Sequence, residues 1–152
     1  MSSTEDRADL VDALAQLSFL VQNALAEITG EYGASLVLAR LLGVLRDREP
    51  LMSELGRHLG LDKSSISGLV DRAQRRGLVT RTADGTDRRA FRVSITDAGR
   101  ELAGEVAERF AGRIDALVAD LSGAERALLT GLAGRIVEAG TPPGIGPGAR
   151  RR

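Results

Sequence analysis

Residues 53–79 read SELGRHLGLDKSSISGLVDRAQRRGLV, and their acids and glycines punctuate two short helices joined by a tight turn. Ser53 is placed to cap a first helix that runs to Leu59, and Gly60 can take the left-handed conformation that ends it. Asp62 then caps a second helix running to about Arg76, with Gly77 just past its end. A sharp crossing needs a small residue where the helices touch and apolar residues turned back to a core. Gly56, Gly60, Leu55, Leu59, Leu61, Ile66 and Leu69 supply these in the right order. The second helix turns Lys63, Ser64, Ser65, Ser67, Gly68, Asp71 and Arg72 outward. Small polar side chains let a helix enter a major groove: serine exchanges hydrogen bonds with phosphates and base edges, Lys and Arg neutralise phosphate, and glycine permits close approach. The plainer alternative is an amphipathic hairpin with a solvated face, on which more Glu and fewer Ser are expected.

Immediately downstream, RTADGTDRRAFRVSIT (residues 81–96) sets four arginines around a glycine turn. Leu78 to Thr82 and Ala90 to Ile95 read as two strands joined by a loop containing Asp84 and Gly85. Phe91, Val93 and Ile95 share one face, and Arg92 and Ser94 the other. The hairpin tip carries Asp87, Arg88 and Arg89. Arginines on a projecting ribbon suit the narrow, electronegative minor groove, and an Asp beside them can hold one guanidinium in its working rotamer.

The whole chain is neutral, with 21 Lys and Arg against 21 Asp and Glu in 152 residues, of which 43% are hydrophobic. That describes an ordinary globular chain and by itself gives no reason to expect nucleic acid. The distribution is polarised: residues 1–50 hold four arginines against eight acids, whereas residues 51–92 hold nine cations against five acids. A local anionic partner and an incidental ripple of charge both account for this asymmetry. The absence of cysteine excludes disulfides, thiolate metal sites and thiol redox sensing, and agrees with a reducing cytoplasm. No membrane span or leader pattern is read, so a soluble intracellular protein is expected.

Long helices flank the middle. Leu10, Leu14, Leu17, Val21, Ala24 and Ile28 recur in steps of three and four, marking a helix over roughly 6–29 that Gly30 closes. Such a stripe buries itself either within the chain or against a partner helix. GASLVLARLLGVLRD is apolar on several sides and predicts a central core helix ended before Pro50. Thr96 caps a further helix, with Asp97 in its first turn and Leu102, Val106, Phe110, Ile114, Leu117 and Leu121 on one face. Ser122 and Glu125 form a capping box for a last helix through Glu138, bearing Leu128, Leu132 and Ile136. The end, GTPPGIGPGARRR, has the composition of a disordered basic tail.

Over residues 51–99, LMSELGRHLGLDKSSISGLVDRAQRRGLVTR, DGTDRRAFRVSIT and the T-x-x-G of Thr96 to Gly99 resemble the MarR family of winged-helix transcriptional regulators. The resemblance implies a mainly α (α+β) fold: one domain over 1–139, with a winged helix-turn-helix DNA-binding lobe at 33–95, long dimerisation helices at 6–29 and 96–138, and a tail over 140–152. It implies an obligate homodimer reading a pseudo-palindromic operator in double-stranded DNA. Position by position, Lys63, Ser64, Ser65 and Ser67 fall on the recognition helix, Arg72 and Arg76 near phosphates, and Asp87, Arg88 and Arg89 at the wing tip. Gly68 departs from the pattern, since many relatives carry an arginine there that reads a base.

The resemblance also implies a small aromatic or acidic effector held in a cleft. With three Phe, one Tyr and no Trp, any such pocket is lined largely by aliphatic side chains, with Arg46 or Arg48 available to meet an acid. No metal or cofactor is expected: His58 stands alone and reads as a surface or packing residue. Nor is an enzyme, because Glu101, Glu105 and Glu108 sit at helical spacing on a solvated face without a convergent base or nucleophile. The competing class is a dimeric protein-interaction or ligand-sequestering module on a degenerate winged-helix scaffold, for which Gly68 is the support.

Overall fold

The computed structural model describes residues 2–141, with side chains from Thr4 onward. The chain forms two compact units, residues 1–113 and 114–152, with the boundary inside one helix. The elements run α1 (Ser2–Glu31), α2 (Leu36–Leu45), α3 (Met52–Leu59), α4 (Lys63–Arg75), β1 (Val79–Ala83), β2 (Phe91–Ile95), α5 (Asp97–Leu117) and α6 (Gly123–Gly140). Helix α6 runs on to Gly140, the first residue of the expected tail, and from 142 on that tail lies outside the described residues. Among the described residues no single helix is long and apolar enough to cross a membrane.

In the first unit, α2 is the core helix its composition predicts. Leu38, Leu41, Leu42 and Leu45, spaced by three and four, are all buried, and Ser35 caps the helix by accepting from Leu38 N at 3.2 Å. Around them close Leu55 and Leu59 of α3, Ile66, Leu69 and Val70 of α4, Val79 and Val93 of the hairpin, and Ala103 of α5. Each fully buried aliphatic side chain here contributes about 1.5–3 kcal/mol through removal from water.

The two strands pair antiparallel, Val79 opposite Ile95 and Ala83 opposite Phe91. Val93 and Ile95 face the core as read, while Phe91 at the loop end stays exposed. The backbone before α3 adds to the sheet: Pro50 O accepts from Val93 N at 3.0 Å, and Leu51 bridges to Arg92. This attachment moves the start of α3. The cap is not Ser53; Leu51 is the N-cap residue, and Glu54 reaches back to accept its N–H at 2.8 Å. Ser53 lies inside the first turn because the extended backbone of Leu51 is already fixed by the hairpin.

Two glycines stand at close contacts. A Cβ at Gly56 stands 3.1 Å from Leu61 O, a tight approach that favours a residue without one where α3 meets the turn into α4. At Gly99 a Cβ falls 2.1 Å from Leu78 O, inside any tolerable distance. Thr96 explains why the backbones come so close: its hydroxyl donates to Gly77 O at 2.6 Å and accepts from Gly99 N at 3.1 Å. The T-x-x-G spacing therefore welds the start of α5 to the end of α4.

The stripe on α1 divides along its length. Ala24 and Ile28 are buried, whereas Leu10, Leu14 and Leu17 are each more than two-fifths exposed. The intrachain reading of that stripe thus holds for its C-terminal part, and its N-terminal part stays exposed in the single chain. Glu27 and Glu31 there pair with Arg113 and Arg109 of α5.

The second unit contains the end of α5 and α6. Ser122 opens α6 with the expected capping box: its Oγ accepts from Glu125 N at 3.3 Å, and Glu125 accepts the Ser122 N–H at 2.8 Å. No residue of α6 is buried, and Leu128, Leu132 and Ile136 are exposed.

Candidate nucleic-acid interface

The reading face of α4 is built from its cap. Asp62 accepts from Ser65 N at 2.7 Å and from the Ser64 hydroxyl at 3.1 Å, and these hydrogen bonds hold its carboxyl below the usual range. Ser64 has thereby committed its proton and faces outward as an acceptor. Lys63, Ser64 and Ser65 are exposed, and Ser67 is half-buried. Gly60 at φ 66° and Gly77 at φ 72° end α3 and α4 in the left-handed conformation, as their positions predict.

The hairpin is fixed to α4 by Arg81 on β1. Its Nη2 donates to Ser67 O at 3.2 Å and to Asp71 Oδ1 at 2.5 Å. The Asp71 carboxylate, the one acid on the outward face, is thus paired with a cation of the wing. At the wing's root Asp84 accepts from Arg92 Nε at 2.7 Å and from the Thr86 hydroxyl at 2.6 Å, and both hold its carboxyl below the usual range. Arg92 also donates through Nη1 to Glu49 O at 3.0 Å. Arg57, Lys63, Arg81 and Arg89 line one groove of about 670 Å³ between α3, α4 and the hairpin, over a floor that includes Met52, Ile66 and Phe91.

Two assignments change on these distances. Asp87 does not hold a guanidinium; its Oδ1 accepts the backbone N–H of Arg89 at 2.9 Å, so it shapes the turn that presents Arg88 and Arg89. The guanidinium-holding acid of the hairpin is Asp84, which the sequence offers only as part of a turn. Arg76 is anchored while exposed: Nη1 and Nη2 donate to Gly33 O and Tyr32 O at 2.9 and 3.1 Å, clamping the end of α4 to the end of α1. Arg72, by contrast, stays on the outward face, its Nη1 lying 3.3 Å from where a Cβ on residue 68 would stand.

A second, smaller cavity of about 160 Å³ lies among α1, α2 and α5. Leu25, Leu42, Leu102 and Val106 give it the aliphatic lining expected, with Phe110 as its aromatic member. Of the two arginines considered, Arg46 lines it and Arg48 does not; Arg40, not singled out from sequence, does. His58 is half-buried, and burial, then Arg48 and Arg40, push its pKa down.

A helix pair with a tight left-handed turn, followed by an antiparallel hairpin that carries exposed arginines, defines a winged helix-turn-helix protein. Known proteins agree with this class. A family model described as MarR family matches residues 35–90, the span from α2 through β1 and the loop that follows it. The HTH-type transcriptional regulator PecS of Dickeya dadantii (strain 3937) is 26% identical over 131 residues, covering 84% of this chain and 79% of that protein. The transcriptional regulator Tm0710 of Thermotoga maritima superposes with a TM-score of 0.66 at 26% identity, covering 87% of this chain and 94% of its own. A MarR transcriptional regulator from Methanosarcina mazei Go1 shares the fold with a TM-score of 0.77 at 21% identity, covering 88% and 96%. Over residues 35–90 the chain is thus similar to the MarR family, and the relatives it resembles are transcriptional regulators.

Proposed function

We propose that the protein is a homodimeric, sequence-specific DNA-binding regulator, a ligand-responsive repressor at a pseudo-palindromic operator. The observation that carries this reading is the joining of α4 to the wing through Arg81, which presents serines, glycine and cations as one surface and neutralises its acid. Lys63, Ser64, Ser65, Ser67 and Gly68 would face the major groove, Arg72 the same groove or its phosphates, and Arg88 and Arg89, on the turn set by Asp87, the minor groove. Arg76, exposed and with only two of its roughly five N–H donors on carbonyls, would approach a phosphate from the end of α4.

Dimerisation is supported by the exposed leucines of α1 and, separately, of α6, which a single chain leaves in water. A two-fold dimer reads two half-sites, whence the pseudo-palindrome. Regulation by a small acidic or aromatic molecule is supported by the α1–α2–α5 cavity, where Arg40 and Arg46 meet an aliphatic wall.

The test is fluorescence anisotropy with DNA upstream of the protein's own gene against random duplex, at several salt concentrations. The expected result is a specific affinity about 10³-fold or more above the non-specific one, falling steeply with salt. No binding to either duplex at low salt would refute the reading. Within it, Arg89→Ala is expected to weaken both duplexes and to lower the salt slope by about 1.

A further inference from the structure

The middle of the outward face of α4 has little to read with. Ser64, Ser65 and Ser67 are short, and residue 68 has no side chain. A glycine inside a helix is less favourable than alanine, so this position gives up stability. The adjoining turn shows what occupies the space. Side chains on a helix lean toward its N-terminus, so that of Arg72 runs back over residue 68. Its Nη1 lies 3.3 Å from the missing Cβ, and the half-buried state of Gly68 agrees with such a cover. Among the described residues the Arg72 guanidinium has no hydrogen bond or ion pair to the protein.

Resting on the DNA-binding reading above, we infer that Arg72, laid in the notch left by Gly68, is the base-reading group of this recognition helix. Drawn back by about one turn, some 5 Å along the axis, the guanidinium leaves the phosphate-facing end of α4 for the part of a recognition helix that meets base edges. Its planar fork carries two parallel donors, which match O6 and N7 of guanine in the major groove. The notch makes the placement possible, because a side chain at 68 would lift the guanidinium off the helix.

The experiment selects duplexes from a random-sequence pool with the full chain and with Arg72→Lys, Arg72→Ala and Gly68→Ala, then measures each protein on the selected and on random duplex. Arg72 is exposed and Gly68→Ala meets only the mobile end of a side chain, so all variants are expected to fold. The wild-type motif is expected to contain one G·C pair per half-site whose replacement costs about 10- to 100-fold. Arg72→Lys should keep the affinity for random duplex and lose that preference, and Arg72→Ala should lose both the preference and a few-fold of random affinity. Gly68→Ala should weaken the same preference and no other. If Arg72→Lys selects the wild-type motif with undiminished preference, Arg72 is a phosphate contact and the inference falls while the DNA-binding reading stands. An unchanged preference in Gly68→Ala would overturn the notch as its positioning device. A wild-type protein that enriches no motif removes the reading and the inference together.

Discussion

The winged lobe and the apolar faces of α1 and α6 use similar residues to opposite ends. In the lobe, Leu41, Leu42, Leu45 and Leu55 are almost wholly removed from water by neighbours in the same chain. On α1 and α6, Leu10, Leu14, Leu128 and Leu132 keep 43–63% of their surface exposed. Hydrophobic periodicity records that a face will be covered and not by what. The lobe closes on itself because short elements and tight glycine contacts bring several helices round α2, whereas α6 is one long surface with nothing buried.

The sharpest way to break that contrast is at Gly99. Replacing it with alanine sets a methyl against Leu78 O and Ile95, which the backbone cannot relieve cheaply. Gly99→Ala is expected to destabilise the lobe by more than about 3 kcal/mol, measured by denaturant unfolding. The apolar faces answer differently. Leu128→Glu with Leu132→Glu is expected to shift the protein to monomer in sedimentation while its helical circular dichroism stays near the wild-type value. A double variant that remains dimeric would show that α6 faces no partner. A smaller effect lies at the lobe's polar edge. Asp62→Ala removes the cap of α4 and should lower the melting temperature by a few degrees. Asp62 has its carboxyl pKa depressed by cap hydrogen bonds, so its contribution is full above the ordinary carboxylate range and is lost as pH falls below about 4 toward the folded value. Asp62→Asn keeps a cap without that titration, and a melting series against pH should then show a shallower acid limb. Some slope remains from Asp84 and Glu125, whose pKa values are lowered in the same way.

What the sequence made legible was local. Asp62 as a cap, Gly60 and Gly77 as helix ends, the Ser122 and Glu125 box and the hairpin strands all rest on signals within a few residues, and the structure has each of them. The rest depends on partners far along the chain. Arg76 shows only its charge in sequence, and the carbonyls of Tyr32 and Gly33 that anchor it arrive from more than forty residues away. Ser53 looks like a cap until the sheet fixes Leu51 in its place. Arg81 and Asp71 carry no pattern in sequence, because a strand and a helix face meet only after the hairpin folds back.

The hairpin's root has a mechanical consequence. Asp84, Arg92 and the carbonyl of Glu49 rivet both strands to the body, and Arg81 adds a second anchor, so the wing is a cantilever with a stiff base and a short free end. A duplex that captures the end need immobilise only the side chains of Thr86 to Arg89. The entropy lost on docking is confined to these few rotors, because the beam that carries them is set before the encounter.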